Sequence, residues 1–165
     1  MISTTIIERI NIHAVSNKLR PILVAAIVMK ESSGDPHALR FEPAWKLYKD
    51  PVLFCAKNRT TVETEKSMQA HSFGLMQAMG CVMRERGFQG PWALAFDLDI
   101  NLQAGCKHLK IFIDRCGGDE AQAIASYNAG SPRRNNEGKF VNQDYVDGVF
   151  KFMNSLKSKF PEPLV

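Results

Sequence analysis

Apolar residues recur at helical spacing along most of the chain. Ile6, Ile7, Ile10 and Ala14 form one stripe that ends before Pro21, the three-to-four step of a single helix face. Pro21 suits the first turn of a second helix, because a first-turn residue has no intrahelical use for an N–H. That helix is predicted to run to about Glu31. From Ile22 to Met29 every residue is apolar, so it lacks a polar face and is expected at the centre of the core. Ser32-Ser33-Gly34-Asp35-Pro36 ends it, since glycine accepts a left-handed cap and proline cannot continue the ladder.

Residues 37 to 72 follow no such rhythm and read as an irregular insertion. Within them Pro43 opens a short helix through Tyr48, Pro51 breaks it, and Asn58 to Lys66 is polar with several threonines. Helix is predicted again from Phe73 to about Arg86, stopped at Gly87, and Pro91-Trp92 opens a short helical turn. The clearest stripe is Leu102, Cys106, Leu109, Ile113 and Cys116, which places both cysteines as small buried core residues. Gly117-Gly118 ends that helix. Asp119 with Gln122 caps the next one, which ends near Gly130-Ser131-Pro132. A last helix carries Val146, Val149, Met153, Leu156 and Phe160. No run of alternating strand residues is present, so the fold class is mainly α, with at most a small hairpin near residues 131 to 142.

Composition adds bounds. The 165 residues, 45% apolar and 23% charged, fit one domain over 1–165. A chain of this length removes roughly 70% of its unfolded surface from water without needing staples. Four cysteines, irregularly spaced and with no Cys-x-x-Cys, exclude a disulfide scaffold and a zinc ribbon. The 21 basic residues outnumber the 17 acidic ones, giving +4. This scattered excess is far from a nucleic-acid footprint and fits solubility, or attraction to an anionic polymer. No segment reaches the roughly 18 apolar residues of a membrane span, and no secretory signal follows Met1. Synthesis in the cytoplasm is therefore expected, with any extracellular target reached after release. His13, His37, His71 and His108 form no ligand motif, so neither metal nor cofactor is expected.

Glu31 carries the first chemical signal. A carboxylate closing a wholly apolar helix is costly unless compensated. Ile27 and Val28 one turn back desolvate it, and the negative end of the helix dipole disfavours its anion. Both effects raise its pKa and keep a proton available near neutral pH, the property a glycosidase general acid needs. The bland alternative is an exposed glutamate at a frayed helix end.

Three later segments add weight. Glu31-Ser32 with Asp35-Pro36, then Gly74-Leu75-Met76-Gln77, then Ser126-Tyr127-Asn128-Ala129-Gly130, then Tyr145-Val146 resembles, in type and order, the catalytic domain of soluble lytic transglycosylases and goose-type lysozymes. The resemblance spans about residues 22–150. It implies a lysozyme-like fold and cleavage of the β-1,4 bond between N-acetylmuramic acid and N-acetylglucosamine in peptidoglycan. Carried over by motif, Glu31 is the catalytic acid, and Ser72, Gly74, Leu75, Met76 and Gln77 line the groove. Tyr127 and Asn128 stand beside the carboxyl and the sugar N-acetyl group, with the Tyr127 hydroxyl expected on Glu31. Tyr145 closes the cleft.

The motifs supply no evident second acid, which two-carboxylate glycosidases require. In the family the substrate's own acetamido oxygen attacks the anomeric carbon, and the ionised glutamate then acts as base. Deprotonating the sugar 6-hydroxyl gives a 1,6-anhydro product; deprotonating water gives a reducing sugar. Both outcomes stay open here.

Two departures stand out. Glu31 and Gly74 lie 43 positions apart, longer than in compact transglycosylases, so residues 37 to 72 are expected to cap the cleft. Asp35 stands where the family often has asparagine. In the insertion Glu42 is a possible second acid, or else the surface partner of Arg40, while Trp45 and Tyr48 offer rings for sugars. Asp97 and Asp99 read as helix-start residues. His71 beside Ser72 is a weaker cleft candidate. Arg133, Arg134 and Lys139 form a solvated loop or meet anionic stems. The resemblance fits a phage or prophage endolysin acting as a monomer on glycan strands after holin-dependent release. Competing classes are a wall-binding protein of a phage tail or secretion apparatus, and a helical nucleic-acid regulator.

Overall fold

Two helices open the chain, α1 (Thr4–Ser16) and α2 (Pro21–Ser32), in a computed structural model that describes residues 2–160. Every side chain from Ile22 to Val28 is buried, as the absence of a polar face requires. Each large one contributes about 1.5–3 kcal/mol relative to exposure. Ser33 takes the left-handed cap position itself, at φ 55°, with Gly34 following at φ 86°.

The chain then runs through β1 (Leu39–Phe41), α3 (Pro51–Asn58), α4 (Val62–Gln69), β2 (His71–Phe73), β3 (Ala78–Met79) and α5 (Gly80–Glu85). A 3-10 turn at Trp92–Phe96 leads into α6 (Leu98–Arg115), α7 (Glu120–Ala129) and α8 (Gln143–Leu156). Helix α2 packs against α1 and, most extensively, α8; α6 packs on α1 and α7, and α7 on α8. The expected stripes of α6 and α8 face inward, and Leu102, Cys106 and Leu109 share one core with Val146, Val149 and Met153. Asp97 caps α6 and Asp119 caps α7, each accepting backbone N–H groups of the first turn.

A mainly α class is what the structure has, but the middle of the chain departs from expectation. The helix predicted over 73–86 is instead two strands and a turn, with helix only from Gly80. Strand β2 pairs antiparallel with both β1 and β3, Arg40 facing Ser72 and Ser72 facing Met79. Gly74 at φ 62° and Gln77 at φ 46° break the helical path. The region near 131–142 holds only an isolated bridge, Arg134 to Phe140.

The insertion is ordered too. No helix forms over Pro43–Tyr48. Pro51 starts α3 rather than ending a helix, and Thr61 caps α4 by accepting from Thr64 N at 3.1 Å. Helix α4 escapes hydrophobic periodicity because the residues it buries are Glu65 and Gln69. They meet Arg84 of α5, whose guanidinium donates to Glu65 Oε1 and Oε2 at 2.9 and 3.1 Å and stacks 4.1 Å from the Trp92 ring. Trp92 Nε1 and Gln69 Nε2 also donate to the same carboxylate, at 2.8 and 2.9 Å. Burial alone would raise the Glu65 pKa, but these donors outweigh it and hold the carboxyl below its usual range. Beside this knot Phe73, Met83, Phe88 and Trp92 form a second apolar cluster. Cys106 is buried, whereas Cys116 sits half-buried at the end of α6, where the stripe has run out of helix.

Candidate active site

The end of α2 projects Glu31 into a cleft of about 330 Å³. Its walls come from three places: Arg40 of β1 with Glu42 and Trp45 just after it, Ser72 and Met79 of the sheet with Gln77 of the turn between β2 and β3, and Tyr127 and Asn128 at the end of α7. The structure thus brings together Glu31, Glu42, Ser72, Gln77, Tyr127 and Asn128, six of the residues singled out from sequence. A larger cavity of about 550 Å³, bounded by Phe150, Met153 and Phe160, holds none of them.

The Tyr145 hydroxyl, from the first turn of α8, donates to Glu31 Oε1 at 2.5 Å. Burial raises the Glu31 pKa above its ordinary value; the Tyr145 hydrogen bond and the fields of Arg40 and Lys30 act the other way and leave it raised. Lys30 Nζ lies 5.7 Å from the centre of the Tyr145 ring. Desolvation together with the neighbouring Glu31 charge pushes the Tyr145 phenol far up, so it stays a donor.

Tyr127 was the expected partner of Glu31, and the structure assigns it elsewhere: its hydroxyl donates to Met76 O at 2.8 Å. That bond belongs to a set fixing the turn between β2 and β3. Ser32 Oγ donates to Leu75 O at 2.8 Å, and Gln77 Nε2 donates to Ala38 O and Gly74 O at 3.0 Å. Asn101 of α6 donates to Phe73 O at 2.8 Å and accepts from Met76 N at 3.1 Å. Every carbonyl from Phe73 to Met76 is therefore engaged, and a buried backbone group without a partner would be costly. Gly74, Leu75 and Met76 are correspondingly buried, and the last two pack in the main core. They shape the groove from beneath instead of lining it. Two glycines give this turn its room, since a Cβ on Gly74 would lie 2.7 Å from Asn101 Nδ2 and one on Gly105 2.7 Å from Met76 Cβ.

Glu42 is held by Arg40, whose Nε donates to Oε1 at 2.5 Å, while Glu42 N donates to Ala70 O at 2.8 Å. Arg40 also acts on Glu31, a role its place beside Glu42 in sequence does not suggest. His71 rests on Ser67 O at 2.7 Å and stacks 4.8 Å from Phe41. In the 131–142 loop Arg134 lies over Phe140 at 4.1 Å and Lys139 pairs with Glu137, leaving Arg133 exposed. Among the described residues no group of three or more His, Cys, Asp or Glu side chains converges as metal ligands would.

Sequence reading missed Asn101, which sits beside the stripe of α6 rather than on it. Its one signal is the four-residue step to Gly105, which puts a polar and a small residue on the same helix face. Residues 8–145 match a family model described as Transglycosylase SLT domain. No curated protein sequence matches the chain significantly.

Proposed function

The chain belongs to the transglycosylase SLT family, a lysozyme-like lytic transglycosylase acting on peptidoglycan, and on that premise we propose that Glu31 performs the chemistry. The observation that carries the proposal is the half-buried Glu31 carboxyl, open to the cleft and held at one oxygen by Tyr145. Oε1 accepts from Tyr145, so the proton resides on Oε2. Glu31 delivers it to the oxygen linking N-acetylmuramic acid to N-acetylglucosamine as positive charge develops at the anomeric carbon. The anion left behind gains the Tyr145 hydrogen bond and the fields of Arg40 and Lys30 without any rearrangement. The substrate's acetamido oxygen closes on the anomeric carbon. Glu31 then takes the proton of the same sugar's 6-hydroxyl, whose oxygen displaces the acetamido group to give the 1,6-anhydro product.

Glu42 has a different part in this reading. Its Oε1 is engaged by Arg40 Nε, so it holds Arg40 next to Glu31 rather than serving as a second acid. Residues 37–72 cover one side of the cleft through Arg40, Glu42 and Trp45. Ser72, Gln77, Tyr127 and Asn128 form the glycan-contacting wall. The protein works as a monomeric endolysin on glycan strands, released with a holin. This last part rests on the sequence resemblance.

Glu31→Gln tests the catalytic core. The variant is expected to sediment with cell walls as the parent does and to leave wall turbidity unchanged; undiminished clearing would remove Glu31 from the chemistry. Mass spectrometry of parent digests separates the two product classes, since the anhydro sugar is lighter by one water.

A further inference from the structure

Asn142 breaks two local rules at once. It occupies the N-cap of α8, a position where an asparagine side chain ordinarily accepts a first-turn N–H and is worth about 1 kcal/mol, yet it makes no capping hydrogen bond. Its Oδ1 is also buried without a hydrogen-bond partner among the described residues, a further cost. Its Nδ2 instead reaches α7, donating to Ala125 O at 3.0 Å and to Asn128 Oδ1 at 2.9 Å.

This pair of contacts fixes the amide orientations without ambiguity. A backbone carbonyl accepts only, so the Asn142 atom facing Ala125 O must be the NH2 group. The same NH2 faces Asn128, which must answer with its oxygen. Asn128 therefore keeps its own NH2 for the cleft it lines together with Glu31 and Gln77. Local consistency given up at one residue, with the loss concentrated on a contact to a site residue, is the pattern of a functional constraint.

We propose that Asn142 is a positioning residue that locks the Asn128 amide with its donor toward the N-acetyl group of the bound glycan. The inference rests on the reading of Asn128 as a wall of the glycan groove. Without Asn142 the Asn128 amide is free to turn over and offer oxygen, which repels a carbonyl. A sugar carrying a free amine has no acceptor there and gains nothing from the lock.

Binding in the Glu31→Gln background tests this independently of turnover. The probes are N-acetylglucosamine tetramer and its de-N-acetylated counterpart, glucosamine tetramer, measured by calorimetry. Asn142→Ser offers a hydroxyl able to cap α8 and is too short to reach Asn128. It is expected to fold with an unchanged melting temperature and to bind the acetylated tetramer about tenfold more weakly, the effect of one hydrogen bond. Its affinity for the glucosamine tetramer does not fall. In an Asn128→Ala background the substitution adds no further loss. Equal weakening for both tetramers, or full affinity for the acetylated one, overturns the proposal. Asn142→Asp, which caps but cannot donate, repeats the comparison should the serine variant not fold. If the Glu31→Gln parent binds neither tetramer, the groove reading itself fails and the proposal falls with it; a parent that binds while Asn142→Ser binds equally well defeats the proposal alone.

Discussion

Tyr145 and Glu31 lie 114 residues apart in the chain and meet at 2.5 Å, hydroxyl to carboxyl oxygen. The contact joins the last turn of α2 to the first turn of α8, the two helices that pack most extensively on each other. Core packing thereby sets the position of the Glu31 carboxyl.

Tyr145→Phe removes a donor that favours the Glu31 anion. Hydrogen bonds to charged groups are worth about 1.5–3 kcal/mol, so kcat/KM is expected to fall roughly 10- to 150-fold. Because Tyr145 lowers the Glu31 pKa, its loss moves the alkaline limb of the pH–rate profile to higher pH. A steady-state profile on wall fragments checks both, and a limb that stays put or moves down contradicts the assignment.

Glu31 also leaves a mark on stability. Its folded pKa is raised above the ordinary value of 4.5, so the folded state holds the proton more tightly than the unfolded chain. Stability from this group is fully present below the unfolded pKa and is lost as pH rises through the folded one. Glu31→Gln carries no such dependence. Thermal melts between pH 4 and 8 are expected to show the variant's stability rising relative to the parent's as pH rises, and a variant whose stability falls relative to the parent's would contradict burial as the cause of the shift.

Arg84→Met leaves Glu65 charged inside the second cluster, where both side chains are fully buried. Breaking such a pair costs about 3–5 kcal/mol, to be read from urea denaturation. Glu65 has the opposite pH signature to Glu31. Its carboxyl is held below the usual range, so its contribution is present above the unfolded pKa and disappears as pH falls through the folded one. An Arg84→Met midpoint equal to the parent's would show that the knot adds no stability.

Gly105→Ala drives a methyl group against Met76, whose carbonyl holds Tyr127. Overpacking of this kind costs about 1–3 kcal/mol. Melting temperature and kcat/KM are expected to fall together, since the displaced turn carries Gln77 into the cleft. A variant with lowered stability and intact kinetics would separate the turn from catalysis.

Glu42→Gln distinguishes a holder of Arg40 from a second acid. The expected loss of rate is under about tenfold, the worth of one weakened charge-assisted contact at a partly exposed site, with the anhydro product unchanged. A loss of several orders of magnitude would make Glu42 a catalytic carboxylate.

Much of the helical core was legible before any coordinates. The all-apolar run of α2, the stripes of α6 and α8 and the caps at Asp97 and Asp119 are local patterns whose physical meaning does not depend on distant residues. The same holds for Glu31 as a desolvated acid, because its apolar neighbours precede it on its own helix. The middle of the chain was not legible in this way. Helix α4 buries a glutamate and a glutamine, and hydrophobic periodicity is silent about a helix whose inward face is polar. The turn at Gly74–Gln77 looks helical by composition, and it is held otherwise by Asn101, Ser32 and Tyr127 from three separate helices. Sequence by itself determined which groups are available: an acid with a raised pKa, two tyrosines and an asparagine near helix ends. Only tertiary structure decided which tyrosine serves the acid and which braces the turn, because a hydrogen bond depends on where two hydroxyls arrive after α7 and α8 have packed.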